Sequence, residues 1–406
     1  MESLQDIKMA EPRDQVLSYS NQRRVMTQLK KFTDPVTSQA YLLASDALYG
    51  GNTMDGKIKV LSLSDIFSQE GAGESLIKEK FYVEVPYGVQ TVEHVAMSAT
   101  GGFQEYFLAG LDDGTVQIFD YTKNKEKQSI QRPVFKVQKT VDGAAESRPA
   151  DIDHPYDYFQ ESLYEHGSSV TAIEKNFKDN TLFASSGRDQ NVFIWKLSGE
   201  QGHDDVEFVS EIGKQQLKTS ASSLNIGYVT SMKWYDEQIL ALATSSGSLL
   251  LNDIREKTGT GDSSKCQQSK KIWQTEGGAI WDLALWRDQS GIKIITADDS
   301  GNVTLIDPRM IPATPQVITS GTRQSALKLS VDSVTTSSKQ VLLSVGFESS
   351  LSVLDLEKLS SQETAYKVKE LSSKDNISSI KTLSHGGHAK TIFGTYDGRI
   401  NVLSLQ

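Results

Sequence analysis

Short runs of alternating apolar and polar residues fill this chain, and they return in a fixed order behind a small, turn-forming phrase. The phrase stands at Asp55-Gly56-Lys57-Ile58-Lys59-Val60, Asp113-Gly114-Thr115-Val116-Gln117-Ile118 and Asp189-Gln190-Asn191-Val192-Phe193-Ile194-Trp195. It returns at Ser246-Gly247-Ser248-Leu249-Leu250-Leu251, Ser300-Gly301-Asn302-Val303-Thr304-Leu305, Ser349-Ser350-Leu351-Ser352-Val353 and Asp397-Gly398-Arg399-Ile400-Asn401-Val402. Period-two alternation marks a strand, and an Asp-Gly or Ser-Gly turn before it marks the second arm of a hairpin. Apolar runs such as Phe107–Gly110, Leu182–Ser185, Leu240–Ala243 and Ile294–Ala297 supply the first arm. A third strand precedes each (Val170–Ile173, Val229–Met232, Ile280–Leu283), and a fourth, such as Lys271–Thr275, precedes the third.

The turn positions 56, 114, 190, 247, 301, 349 and 398 are separated by 58, 76, 57, 54, 48 and 49 residues. A minimal four-stranded propeller blade takes about 40–45 residues, so these units carry loop insertions. Seven such units predict an all-β, seven-bladed β-propeller. The last copy stops four residues short of Gln406, which leaves no fourth strand for it. The stretch Gln15–Tyr19 predicts that missing strand, with Val25–Leu29 opening the first blade, so that the ring closes and removes its exposed edges. One domain over residues 1–406 is expected, with 1–20 as tail and closing strand and 123–161 as a long inter-blade insertion.

Composition narrows the function. Cys266 is the single cysteine, which excludes an intrachain disulfide and a cysteine zinc site. The N-terminus lacks a basic segment followed by an apolar core, and no apolar run is long enough to span a bilayer. Cytosolic or nuclear residence without membrane contact is therefore expected. The formal charge is −10, which serves solubility or steers basic polypeptides toward an acidic face. No stripe of Lys and Arg interleaved with aromatics points to nucleic acid.

His166, Ser185, Asp189 and Trp195 fall within one repeat and invite a nucleophilic-triad reading. No Gly-x-Ser-x-Gly elbow surrounds Ser185. A buried indole N–H and a buried imidazole both need partners, so a structural hydrogen-bond network is expected instead. His385 and His388 have metal-like spacing in a Gly-rich turn with no third ligand nearby in sequence, and His94 reads as a packed or surface strand residue. The pairs Asp112-Asp113 and Asp298-Asp299 sit at hairpin turns, where Asp holds the backbone. The chain thus offers no catalytic residue set, metal site or cofactor motif. Two surface features remain: the acidic-aromatic stretch with Asp153, Tyr156, Asp157, Tyr158 and Phe159, and the long first-blade turn Tyr49–Gly56.

The repeats, and the His166–Ser185–Asp189–Trp195 spacing above all, resemble the WD-repeat family. Within it, Leu42–Gly51, Gly88–Thr91, Tyr164–His166, Asp299–Asp307 and Ser350–Asp355 are similar, in order, to landmarks of the methylosome WD-repeat subunits. The resemblance implies a non-catalytic, hetero-oligomeric partner of a type II protein arginine methyltransferase that presents arginine-rich substrates such as histone tails and Sm proteins. It implies a docking element at Gly51, Asn52, Thr53, Met54 and Asp55, where Met54 stands in place of the family's tryptophan. Met fills an irregular apolar pocket with less rigid area than an indole. Two alternatives stay open: a scaffold subunit of another complex such as the nuclear pore, and a WD-repeat methylesterase of diphthamide synthesis.

Overall fold

The computed structural model describes residues 16–17, 24–48, 55–68, 79–85, 87–99, 102–122, 129–130, 166–200, 203–212, 227–255, 269–310, 315–319, 324–335, 339–361, 366–373, 375–385 and 388–405. These residues form seven sheets, antiparallel apart from one added strand in the first, that follow one another around a ring. Blade 1 consists of Arg24–Thr33, Ala40–Leu48, Asp55–Ser62 and Glu79–Val85, and blade 2 of Val89–Ala99, Gly102–Leu111 and Val116–Asp120. Blade 3 contains Val170–Lys175, Leu182–Gly187, Val192–Glu200 and His203–Ile212; blade 4 contains Val229–Trp234, Ile239–Thr244, Ser248–Asp253 and Lys270–Gln274. Blade 5 is Ile280–Asp288, Gly291–Asp298, Val303–Ile306 and Gln316–Thr319, and blade 6 is Ala326–Thr335, Lys339–Phe347, Ser350–Asp355 and Tyr366–Ser372. Blade 7 joins Ile377–His385, His388–Thr395 and Ile400–Leu405 to Val16–Leu17. Val16 pairs with Asn401 and Leu17 with Ile400, so a strand from the N-terminal tail closes the ring.

One feature of the 123–161 insertion is visible. Ser129 and Ile130 lie parallel to Tyr82 and Val83, extending blade 1 although the chain has by then completed three strands of blade 2. Non-local pairing of this kind leaves no periodic mark in the sequence.

Second strands are buried on both faces, because blades stack face to face around the ring. Tyr106–Leu111 and Phe183–Gly187 are buried throughout, which is why these segments read as continuous apolar or small runs. The inner pair of every blade carries the same one-residue bulge, at Thr27, Gln90, Thr171, Thr230, Trp281, Leu327 and Ser378. A bulge bends and twists its strand. It also turns three of these hydroxyls toward the next blade: Thr27 donates to the carbonyl of Val89 at 2.5 Å, Thr171 to that of Val229 at 2.6 Å, and Thr230 to that of Ile280.

The residue after each bulge pairs with a small partner on the second strand, namely Ser45, Gly110, Ser186, Ala243, Ala297, Gly346 and Gly394. Close approach of the next blade explains the choice. A Cβ on Gly110 would lie 2.5 Å from a methyl of Val170, and one on Gly394 would lie 2.4 Å from Cβ of Met26. The ring is therefore tightened through one small residue per blade.

Candidate functional site

Blade 3 brings four of the sequence-predicted residues together. Asp189 lies in the turn between Leu182–Gly187 and Val192–Glu200, and its Oδ1 stands 3.1 Å from His166 Nδ1. His166 Nε2 is 3.0 Å from Ser185 Oγ, which also accepts the Trp195 indole N–H at 2.9 Å. With Nδ1–H donated to the carboxylate, Nε2 accepts from the Ser185 hydroxyl, so each of these four side chains has a hydrogen-bond partner. Burial pushes the Asp189 carboxyl up, but His166 and the backbone N–H groups of Asn191 and Gly167 outweigh it and hold the pKa below the usual value. Gly187 leaves room for this packing, since a Cβ there would come within 2.8 Å of the imidazole.

The order Asp–His–Ser is that of a hydrolase triad, yet its setting differs. Ser185 is wholly buried, His166 nearly so, and Phe193 packs against the imidazole at 4.5 Å between centroids. A nucleophile needs access and a free hydroxyl. This one is sealed and donates and accepts within the blade, so the arrangement ties strands together.

The first-blade hairpin is the second place of interest. Gly51, Asn52, Thr53 and Met54 lie outside the described residues, as do Asp153, Tyr156, Asp157, Tyr158 and Phe159. The hairpin's base is described. Leu48 pairs with Asp55 in the last rung, and Asp55 is the member of the docking set seen there, 43% exposed at its side chain. Arg24 bridges Asp46 at 2.9 Å and Asp55 at 3.0 Å, so one guanidinium ties two strands and the root of the turn. Lys59 reaches Asp46 at 2.6 Å from an almost wholly buried position, and burial pulls its pKa down against that ion pair. Gly56 is required because the chain entering blade 2 crosses it: a Cβ there would lie 2.5 Å from the carbonyl of Tyr87. These contacts hold the base of the hairpin in place.

Sequence reasoning did not anticipate the buried polar pairs. His94 is buried with its Nε2 3.0 Å from a Glu105 oxygen and its ring stacked on Phe32 at 4.4 Å. Burial depresses its pKa, against the pull of Glu105. Lys30 binds both Glu93 and Glu174, and Lys233 binds Glu174, at 2.7–2.8 Å. Their partners lie 63, 144 and 59 residues away, which no local pattern records. Among the described residues there is no group of three or more His, Cys, Asp or Glu side chains able to hold a metal ion, and no helix long and apolar enough to cross a membrane. His385 and His388 are backbone partners in the last rung of the blade 7 hairpin.

Residues 158–196, which run into the first three strands of blade 3, match the family described as WD domain, G-beta repeat. The chain is also similar to the protein transport protein SEC31 of Dictyostelium discoideum, with 23% identity over 182 residues. That match takes in 43% of this chain and 11% of SEC31, so the chain spans about a tenth of the length of this curated relative. The repeat match and the seven-bladed ring together support a place in the WD-repeat propeller family, whose fold typically serves as a non-catalytic protein-interaction scaffold.

Proposed function

We propose that this WD-repeat propeller is the non-catalytic scaffold of a protein arginine methyltransferase complex, holding the type II enzyme and presenting arginine-rich substrates to it in cytoplasm and nucleus. The observation that carries the reading is the ordered resemblance that begins at Leu42–Gly51. It covers the strand whose end, through Arg24, Asp46 and Asp55, is tied into a rigid hairpin base. A rigid base spares a docking turn part of the ordering cost of association. Met54 then acts as the apolar anchor of the turn, with Asp55 at its rim. The net charge of −10 favours encounter with basic substrate tails, an attraction that weakens as salt rises.

Co-expression with the organism's type II arginine methyltransferase, followed by gel filtration, tests the reading. A single co-eluting complex is expected. Met54→Ala should weaken it by about tenfold or more, as for an interface anchor, and Met54→Asp should weaken it further by burying an unpaired charge. Two separate peaks at micromolar concentration would discard the methyltransferase assignment. The similarity to SEC31 favours a second reading, a scaffold subunit of a protein-transport assembly. Affinity purification that returns transport proteins and no methyltransferase would select it.

A further inference from the structure

The inner strands line a central cavity of about 320 Å³. Alignment of the seven bulges places one residue of each inner strand at a common level: Lys30, Glu93, Glu174, Lys233, Ala284, Ser330 and Lys381. Charge is unevenly spread around it. Blades 1 to 4 hold a closed chain of ion pairs, in which Glu93 is engaged by Lys30, and Glu174 by Lys30 and Lys233. Blades 5 and 6 contribute only Ala284 and Ser330, which leave the space on their side open. Lys381 of blade 7 borders that space.

Lys381 makes no ion pair or hydrogen bond with a described residue, and neither does Lys328, two residues ahead of Ser330 on blade 6. Both line the cavity. The nearby carboxylates Asp282 and Asp332 form no ion pair with either lysine. Asp282 accepts from the Ser231 hydroxyl at 2.8 Å, its neighbour Leu283 N–H at 2.8 Å and Leu329 N–H at 2.9 Å. Asp332 favours the Lys381 charge from beyond ion-pair distance and is also within the field of Lys31. Burial and the neighbouring Lys30 and Lys233 push the Lys381 pKa down. Four lysines and two carboxylates thus line the cavity of a protein whose overall charge is −10.

We propose that the central cavity is a binding site for a small, multiply charged phosphate-type anion, seated against Lys381 and Lys328 on the side of blades 5 to 7. Phosphate oxygens accept several charge-assisted hydrogen bonds from ammonium groups, which is what two lysines without an ion pair among the described residues offer beside an open polar space. A bound dianion supplies the counter-charge that the fold withholds and moves the Lys381 pKa back toward its usual value. The site is independent of the first-blade turn and of the methyltransferase reading.

Thermal unfolding of the full chain in inorganic pyrophosphate, against chloride at matched ionic strength, tests this. Pyrophosphate should raise the melting temperature of the wild type in a saturable way. Lys381→Met removes an uncompensated, partly buried charge, so without anion it should melt at or above the wild-type temperature. Its apparent pyrophosphate affinity should fall about tenfold or more, the loss expected for a hydrogen bond to a charged group. Lys328→Met should lose affinity likewise, whereas Lys358→Gln, on the exposed rim of blade 6, should respond as the wild type does. No wild-type response, an undiminished response in both channel variants, or a lower melting temperature of Lys381→Met without anion would overturn the proposal. Binding of a hexaglutamate peptide without binding of pyrophosphate would also overturn it, in favour of a protein ligand.

Discussion

Blades 2 and 3 solve the same packing position in opposite ways. In blade 3 the pair Phe183 and Trp195 faces across strands two and three, with Ser185 supplying the indole's acceptor and His166 and Asp189 completing the network. In blade 2 the matching pair is Phe107 and Phe119, and Ala109 stands where Ser185 does. Phenylalanine has no N–H to satisfy, so the hydroxyl and the imidazole lose their purpose together, while Asp113, at the position of Asp189, stays and accepts from the Thr115 N–H at 3.0 Å. Aromatic packing replaces the hydroxyl and the imidazole. Phe107 lies 4.5 Å from Tyr121 and 5.6 Å from Phe32 of blade 1, and Phe81 adds another edge contact to Tyr121 at 5.2 Å. The repeat therefore preserves a volume, a strand register and the turn carboxylate, while the buried hydroxyl–imidazole network is exchanged for aromatic packing. A degenerate repeat is not a weak one.

The comparison predicts a larger loss from the aromatic blade than from the polar one. Phe107→Ala should cost about 3–5 kcal/mol, the range for emptying a buried phenylalanine site, read as a shift in the denaturation midpoint at unchanged slope. A cost below that of Ser185→Ala would break the contrast. Acid should act in the reverse direction, on the blade that depends on charge. Burial pushes Glu174 up, but Lys233 and Lys30 dominate and bring it to about 2 from 4.5. A depressed carboxyl stabilises the fold above its unfolded pKa and loses that contribution as pH falls from about 4.5 toward about 2. Wild-type melting temperature should drop by an amount worth a few kcal/mol across this window. Glu174→Gln should be less stable than wild type at neutral pH and flatter between those limits. Parallel profiles would show that the channel ion pairs contribute nothing.

Ser185→Ala strands both the Trp195 N–H and the His166 Nε2 and should cost about 1–3 kcal/mol. Asp189→Ala should fall in the same range, and the double variant should cost less than the sum because the residues act as one network. Additive losses would dissolve the network into separate contacts. The smallest effect belongs to the turn. Gln190 adopts φ 72°, where the matching residues Gly114, Gly247, Gly301 and Gly398 adopt 80–94°. Gln190→Gly should relieve the left-handed strain and stabilise by about 1 kcal/mol or less. A destabilised variant would mean that the Gln190 side chain outweighs its backbone.

Much of this was readable along the chain. Hairpin turns and strand alternation are local properties, set by φ preferences at Asp-Gly or Ser-Gly and by the two-residue pleat. They marked seven units, and the His166, Ser185, Asp189 and Trp195 spacing was visible within one of them. The small residues Gly110, Ser186, Ala243, Ala297, Gly346 and Gly394 were on view too, but only blade-to-blade distance shows why they are small. The partnership of Ser129–Ile130 with blade 1, the His94–Glu105 pair and the channel lysines left no signal at all.

The sequence by itself determined the number of blades, their order and the strand that closes the ring, because each follows from short-range backbone geometry and from the count of apolar runs. The tertiary structure alone decided which charges meet. Lys30, Glu93, Glu174, Lys233 and Lys381 belong to five different blades. They reach one level of the cavity because the ring superimposes seven identical bulges, and Coulomb interaction then depends on distance through space rather than along the chain.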